Sequence, residues 1–229
     1  MPGHTIRIPS RDGGAFDVYL AAPAAPGRVP AMVIASAIFG VTPEVRGIAD
    51  EFAQQGFLAL APDLFWRTVP GPLPRDDKRA PERAQPRLER LRTGEADLTD
   101  TLAAARGLQA SNGKVAVMGL CYGGPYAVIG PGRLGYDAGV GCHASEMLPF
   151  LEDARRLTRP VQIVWGDEDH AAPPPVLEAY RAAASSSLRV QIFPGRLHGF
   201  MMRDNPKAFD QEAYDYSMTR AGELLAAMR

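Results

Sequence analysis

The sequence predicts an α/β fold in which a mostly parallel sheet is flanked by helices on both faces. Two observations lead to this prediction. Short apolar runs alternate along the chain with segments of helical periodicity, and several of these runs are nearly continuous, as in strands buried on both faces. The length of 229 residues, with 46% hydrophobic and 22% charged residues, suits one globular domain. We therefore expect a single domain over residues 1–229.

Composition and charge exclude several classes of function. The formal net charge is -1, and the chain lacks the basic stripe that nucleic-acid binding requires. No apolar run reaches the roughly 18 residues of a membrane span, and residues 1–10 carry no apolar signal segment. Two cysteines, Cys121 and Cys142, are too few for a disulfide framework. We expect a cytoplasmic monomer that binds neither nucleic acid nor a membrane and uses no cofactor.

Turn and capping residues mark the first elements. Residues 5–20 contain two strand-like runs around Gly13, whose tolerance of positive φ suits a hairpin turn. Thr42 as N-cap and Pro43 at the first helical position predict a helix that ends at Gly56. The other predicted strands are 31–40, 57–61, 114–119, 136–141, 161–165 and 189–193. The other predicted helices are 95–110, 124–130, 147–157, 174–185 and one from about residue 206.

Residues 66–94 interrupt the alternation of strands and helices. The segment is rich in proline and arginine, and it lacks a long clean periodicity. It is too short and too polar to bury a core of its own. We predict an excursion with short helical pieces over the edge of the sheet where ligands bind, rather than a second domain.

The segment KVAVMGLCYGG, residues 114–124, joins a strand to a helix through Cys121. It matches the G-x-S-x-G nucleophile elbow of the α/β-hydrolase fold, with cysteine in place of serine. Gly119 and Gly123 leave room where the strand and helix pack closely. The partial positive charge at the start of the helix lowers the pKa of a thiol placed there. A buried structural cysteine is the alternative. The position between a strand and a helix favours a nucleophile and an α/β-hydrolase fold.

Two further residues complete a candidate triad in the chain order nucleophile, acid, histidine. Asp169 and His198 each follow a predicted strand, so both fall at the same sheet edge as Cys121. Asp169 is preferred to Asp167, which we expect to stabilise the turn itself. His143 also follows a strand and is a candidate substrate contact. We expect no metal site, because no pair of ligand-type residues has the required spacing on one element.

Acyl transfer also needs donors for the oxyanion. In this fold they are the amide after the nucleophile, here Tyr122, and one amide in a loop after an early strand. Residues 36–40, at the end of the predicted apolar strand 31–40, provide that loop, and the amide of Ile38 is our candidate. The assignment follows from the architecture, since backbone donors leave little trace in a sequence.

Five spaced motifs occur in an order that characterises one enzyme family. They are AIFGVTPEVR, APDLFWR, SNGKVAVMGLCYGG, GDEDHAAP and LHGF. With them the chain resembles the dienelactone hydrolase (carboxymethylenebutenolidase) family over nearly its full length. The resemblance implies hydrolysis of an enol-lactone such as dienelactone, or of a related ester, through an acyl-cysteine. It also implies a triad of Cys121, Asp169 and His198, in agreement with the assignment from the residues.

The chain departs from the family at one position. Relatives carry a glutamate before the Ile-Phe-Gly of the early loop, where it helps to activate the thiol. This chain has Ala37 there, preceded by Ser36, and Glu44 lies too far into the next helix to replace it. We therefore hypothesise that Cys121 is paired constantly with His198, which gives a hydrolase of different or broader substrate range.

The carboxylate that the family's substrates carry requires a cation in the pocket. Arg79 and Arg83 in the excursion and Arg203 just after His198 are the candidates, and Trp66 is a candidate for an apolar wall. The alternatives are solvated surface arginines and simple packing of the indole.

Two other functions remain open. The first is a carboxylesterase or thioesterase that acts on a neutral substrate and needs no cation. The second is a catalytically idle relative that binds a ligand or partner. The missing glutamate supports the idle relative, whereas the intact set of cysteine, aspartate and histidine argues against it.

Overall fold

The computed structural model describes residues 2–229, which contain eight strands and seven α-helices in two compact units. The first unit runs to Val115 and includes Met228–Arg229, and the second is Ala116–Ala227. None of the helices in this described range has the length and apolar character needed to cross a membrane. The single domain over residues 1–229 stays a prediction.

The strands of the first unit follow the order β1, β2, β4, β3. The hairpin of β1 (His4–Pro9) and β2 (Ala15–Ala21) is antiparallel, and its turn includes Gly13 at φ 92. β2 pairs antiparallel with β4 (Leu58–Pro62), and β4 pairs parallel with β3 (Val29–Ala35). The predicted hairpin is confirmed, and β3 ends before residues 36–40, which form a loop.

Helix α1 (Pro43–Gln54) begins and ends as the sequence predicts. The Thr42 hydroxyl accepts a hydrogen bond from the Val45 amide at 3.5 Å, and Gly56 follows the helix at φ 87. Its buried residues recur at helical spacing, as an amphipathic helix requires; they are Val45, Ile48, Ala49, Phe52 and Ala53.

The excursion is shorter than predicted. Helix α2 (Arg79–Arg83) is one of its short helical pieces, but α3 (Arg87–Gly107) begins well before the predicted residue 95 and ends before 110. Residue 94, where the predicted excursion ends, is a glycine buried inside this helix. Leu91 and Leu98 lie two turns apart on the buried face, so packing overrides the cost of a helical glycine.

A buried carboxylate on α3 anchors the start of the excursion. Asp97 is fully buried and accepts hydrogen bonds from Arg67 Nη1 at 2.7 and 2.8 Å and from Trp66 Nε1 at 3.2 Å. Arg67 Nη2 also donates to the Ser10 hydroxyl at 2.9 Å. Burial raises the pKa of Asp97, and the hydrogen bonds and charge of Arg67 oppose that rise.

The second unit contains only parallel pairings in the order β5, β6, β7, β8. Its strands are the C-terminal part of β5 (Ser111–Leu120), β6 (Ala138–Cys142), β7 (Val161–Gly166) and β8 (Leu188–Phe193). Its helices are α4 (Tyr126–Ile129), α5 (Leu151–Arg155), α6 (Pro174–Ala182) and α7 (Gln211–Ala226). Trp165 lies at the centre of the core, edge-on to Tyr180.

The C-terminal helix begins later than the predicted residue 206. Its N-cap is Asp210, whose carboxylate accepts a hydrogen bond from the Ala213 amide at 2.9 Å. An aspartate at this position satisfies one of the free amides of the first turn, and this fixes the start of the helix.

We expect Arg67→Met to lower the free energy of unfolding by about 2–3 kcal/mol, because it leaves the Asp97 carboxylate buried without its cation. Arg11→Met is the matched control. Arg11 pairs with Asp100 on the same helix, but half of its side chain is exposed, so the expected loss is below about 1 kcal/mol. Urea unfolding of both variants measures the difference, and equal losses would contradict the assigned role of Asp97.

Candidate active site

The turn at Cys121 has strained backbone geometry. β5 ends at Leu120, and Cys121 lies at φ 52 at the start of a single 3₁₀ turn, Cys121–Gly123. A side chain at Gly119 would come within 2.2 Å of the Gly123 carbonyl, so glycine is required there. Non-glycine residues with positive φ are uncommon and concentrate at functional sites. The predicted sharp strand-to-helix turn is therefore present.

The second unit brings Cys121, Asp169 and His198 together. His198 Nε2 lies 3.1 Å from Cys121 Sγ, and His198 Nδ1 lies 2.8 and 3.0 Å from the two carboxylate oxygens of Asp169. Asp169 is buried and also accepts a hydrogen bond from the Ala171 amide at 2.8 Å. Asp167 instead accepts a hydrogen bond from the Gly195 amide at 2.6 Å, so it joins its turn to the loop after β8.

The charges around His198 favour its protonated form. Burial of the ring opposes protonation, but the hydrogen bonds and negative charges of Asp169 and Cys121 outweigh this effect and raise the pKa of His198 to about 10. The contact of 3.1 Å between His198 Nε2 and Cys121 Sγ places the imidazolium where it can donate a hydrogen bond to the sulfur. A thiolate is the nucleophilic form of cysteine.

His143 lies beside this pair. It follows β6 at φ 38, is almost completely buried, and places its ring edge-on to those of His198 and Phe200, with centroids 5.1 and 5.2 Å away. The ligand atoms of Cys121, His143 and His198 all lie within 4.8 Å of one another. Spacing along one element cannot reveal this cluster, because the three residues follow three different strands.

The three candidate arginines occupy different environments. Arg79 is exposed and forms an ion pair with Asp77 at 2.7 Å, and Arg203 is exposed above the Tyr214 ring at 4.1 Å. Arg83 is almost completely buried. Neither exposed arginine differs from an ordinary surface residue, so the structure separates Arg83 from the other two candidates.

The guanidinium of Arg83 is only partly hydrogen-bonded. Its Nη1 donates to the carbonyls of Val69 and Gly71 at 3.0 and 2.9 Å, whereas its Nε and Nη2 are buried and have no hydrogen-bond partner. Position 40 requires glycine, because a Cβ there would lie 2.4 Å from Arg83 Nη2 and because φ is 77. Burial lowers the pKa of Arg83 to about 10, and the charges of Asp63 and Asp77 oppose that shift, so Arg83 stays charged at neutral pH.

The other candidates are described within their own units. Trp66 stacks on Phe16, and it lines a cavity of about 560 Å³ whose walls include no residue of the candidate triad. Tyr122 is buried in the turn after Cys121. Ile38 lies in the loop after β3, where the Gly40 amide donates to the Ala37 carbonyl at 2.9 Å. The oxyanion-hole roles of Ile38 and Tyr122 stay predictions.

Comparisons with known proteins agree with this fold. The model of the dienelactone hydrolase family matches residues 16–228. Carboxymethylenebutenolidase 1 of Cupriavidus pinatubonensis is 32% identical over 231 residues, which cover 98% of this chain and 97% of the relative. A carboxymethylenebutenolidase of Pseudomonas sp. is 32% identical over 228 residues, with 98% and 95% covered. A putative dienelactone hydrolase from Klebsiella pneumoniae superposes with a TM-score of 0.82 at 23% identity, with 98% of each chain covered. The predicted α/β-hydrolase fold is confirmed.

We expect alkylation of Cys121 by iodoacetamide to report a thiol pKa well below the ordinary value of about 8.5, because the His198 imidazolium stabilises the thiolate. His198→Gln removes the cation and should return the pKa towards about 8.5. The rate of alkylation measured against pH gives both values.

The matched control is His170→Gln. The ring of His170 also lies edge-on to that of His198, with centroids 5.1 Å apart, but His170 is exposed and belongs to neither hydrogen bond of the triad. We expect the thiol pKa of Cys121 in this variant to equal that in the unmodified protein. A thiol pKa near 8.5 in the unmodified protein would be incompatible with a constant pairing of Cys121 and His198.

Proposed function

Because the chain belongs to the dienelactone hydrolase family, we propose that it hydrolyses an enol-lactone such as dienelactone, or a related ester, through an acyl-cysteine at Cys121. Membership of the family shows that the protein is a hydrolase of lactone or ester bonds. The observation that carries the finer proposal is the alignment of Cys121 Sγ, His198 and Asp169 through contacts of 3.1 and 2.8 Å.

The proposed reaction begins with attack of the Cys121 thiolate on the acyl carbon. The oxyanion that forms is stabilised by backbone amides, for which Tyr122 and Ile38 are the candidates. Collapse of this intermediate breaks the ester bond, and the His198 imidazolium gives its proton to the departing enolate oxygen. In a lactone this oxygen stays attached to the acyl group.

The second half of the reaction regenerates the enzyme. His198, now neutral, accepts a proton from a water molecule, and the resulting hydroxide attacks the thioester carbonyl. Collapse of the second intermediate breaks the carbon–sulfur bond, releases the acid product and restores the thiolate beside the imidazolium. Throughout, Asp169 holds the imidazole with Nε2 towards Sγ.

The residue at position 37 supports a broad substrate range. Ala37 is buried and apolar, so position 37 supplies no carboxylate. Activation of the thiol then depends on His198, whose Nε2 lies 3.1 Å from Sγ. A thiolate that forms independently of the substrate places no condition on the substrate's own charge.

Arg83 is the candidate that best fits a substrate carboxylate. It carries a positive charge in a buried position and has two donor nitrogens, Nε and Nη2, with no hydrogen-bond partner. A buried, unsatisfied donor is costly, and an arginine fork matches a carboxylate in two hydrogen bonds. We include a carboxylate-bearing substrate in the proposal on this ground.

The first test compares hydrolysis of a dienelactone and of p-nitrophenyl acetate by the unmodified protein and by Cys121→Ala. We expect both substrates to be turned over and the variant to lose about a thousandfold or more of kcat, because the nucleophile is gone. Cys142→Ala is the matched control: Cys142 is fully buried, so its replacement should leave kcat within about twofold.

The outcomes distinguish the functions that the sequence left open. Turnover of the aryl ester alone would indicate a carboxylesterase or thioesterase for neutral substrates. Absence of turnover for both substrates, together with no alkylation of Cys121 by iodoacetamide, would indicate a catalytically idle relative. Full activity of Cys121→Ala would exclude the acyl-cysteine.

The second test concerns the substrate carboxylate. We expect Arg83→Met to raise KM for the carboxylate-bearing dienelactone by tenfold or more and to leave KM for p-nitrophenyl acetate within about twofold, since the lost ion pair concerns the acid alone. Arg79→Met, on the same helix but exposed, is the matched control and should change neither value. Equal effects of Arg83→Met on both substrates would assign Arg83 a structural role instead.

A further inference from the structure

We propose that Cys121, His143 and His198 also form a reversible binding site for a thiophilic divalent cation, with Zn²⁺ as the ion whose chemistry fits best. The ligand atoms of these three residues all lie within 4.8 Å of one another. This site goes beyond the proposed hydrolysis and does not depend on it, because ligation requires only the donor atoms and their positions.

The donor set selects the class of ion. One cysteine sulfur and two imidazole nitrogens suit Zn²⁺, whereas Mg²⁺ and Ca²⁺ prefer oxygen ligands. In a tetrahedral site with Zn–S of about 2.3 Å and Zn–N of about 2.0–2.1 Å, neighbouring ligand atoms lie roughly 3.3–3.6 Å apart. Cys121 Sγ and His198 Nε2 lie 3.1 Å apart, close to this value, and all three ligand atoms lie within 4.8 Å of one another.

The backbone that carries His143 is fixed against both neighbouring strands. The His143 amide donates to the Val164 carbonyl at 2.9 Å, and Trp165 Nε1 donates to the Ala144 carbonyl at 2.8 Å. The Ser145 amide donates to the carbonyl of Cys121 itself at 3.1 Å. The backbones of Cys121 and His143 are therefore held at a fixed separation, which lowers the cost of ordering these two ligands around an ion.

Asp169 supplies the outer contact that metal-binding histidines require. Its carboxylate accepts a hydrogen bond from His198 Nδ1 at 2.8 Å, which directs the Nε2 lone pair towards the cluster. Three protein ligands leave the fourth tetrahedral position to water. On binding, the ion receives lone pairs from Sγ and two nitrogens, and the proton shared by Cys121 and His198 leaves to the solvent.

Occupation of this site would stop the proposed hydrolysis. The ion would engage the sulfur that attacks the substrate and the nitrogen that transfers its proton, so neither could react. Because no covalent bond forms, removal of the ion by a chelator restores both groups. The protein is then a hydrolase whose activity falls as the concentration of Zn²⁺ rises.

The experiment titrates the full chain with Co²⁺, which substitutes for Zn²⁺ and gives absorption bands that report the ligands. We expect one Co²⁺ per chain, a thiolate-to-cobalt charge-transfer band in the near ultraviolet, and loss of the band on addition of Zn²⁺ or EDTA. Cys121→Ser should abolish the band. His143→Gln should weaken binding by about tenfold or more, since even outer contacts of metal ligands contribute about 10–100-fold.

His170→Gln is the matched control, because His170 also lies beside His198 but outside the cluster. Its Co²⁺ affinity should equal that of the unmodified protein. If His143→Gln fails to fold by circular dichroism, His198→Gln replaces it, with the same expected loss of affinity. Absence of the band in the unmodified protein, or unchanged affinity in the folded histidine variant, would overturn the proposal. Since absorbance is the readout, a chain without hydrolytic activity tests the site equally well.

Discussion

The left-handed backbone at Cys121 is the constraint on which the candidate site depends. At φ 52 the chain turns directly from β5 into a 3₁₀ turn, and this conformation costs energy for a residue with a side chain. Two neighbouring glycines leave the space that this turn needs. Gly119 packs against the Gly123 carbonyl, and Gly124 packs against Ala144, whose Cβ would lie 2.2 Å from a Cβ at position 124. The turn at Cys121 and the loop of residues 143–145 are therefore packed directly against each other.

The charge balance of the site follows from that packing. The turn presents Sγ to one side of the His198 ring while Asp169 occupies the other, so the imidazole lies between two acceptors. Either negative group favours the imidazolium, and together they overcome the burial of the ring. A neutral residue at either position would leave the pKa of His198 closer to its ordinary value.

Patterns local in sequence predicted most of the fold. The Gly13 turn, the Thr42 cap and the buried runs each depend on residues within a few positions of one another, and each matches an element of the structure. The predicted start of α3 was wrong, because residues 66–94 lack a clean periodicity, whereas Leu91 and Gly94 are buried inside the helix. The late start of α7 depends on the Asp210 cap, which apolar periodicity does not indicate.

Parts of the candidate site could be predicted for the same reason and parts could not. The order of Cys121, Asp169 and His198 along the chain, each after a strand, is enough to bring them to one edge. The position of His143 against this pair depends on the path of the chain after β6, including the rare φ of 38 at His143 itself. The distinct environment of Arg83 depends on carbonyls of an irregular loop, which no periodicity describes.

The contact between Cys121 Sγ and His198 Nε2 has a consequence for the lifetime of the protein. The thiolate that we propose for Cys121 would react with electrophiles that reach it, including peroxide. Sulfenic acid formation is reversible by thiols, whereas the next oxidation step to the sulfinic acid is not. With Cys142 fully buried on β6, no second cysteine in the described chain is exposed to form a protective disulfide. The proposed thiolate of Cys121 would therefore be oxidised most readily while no substrate covers it.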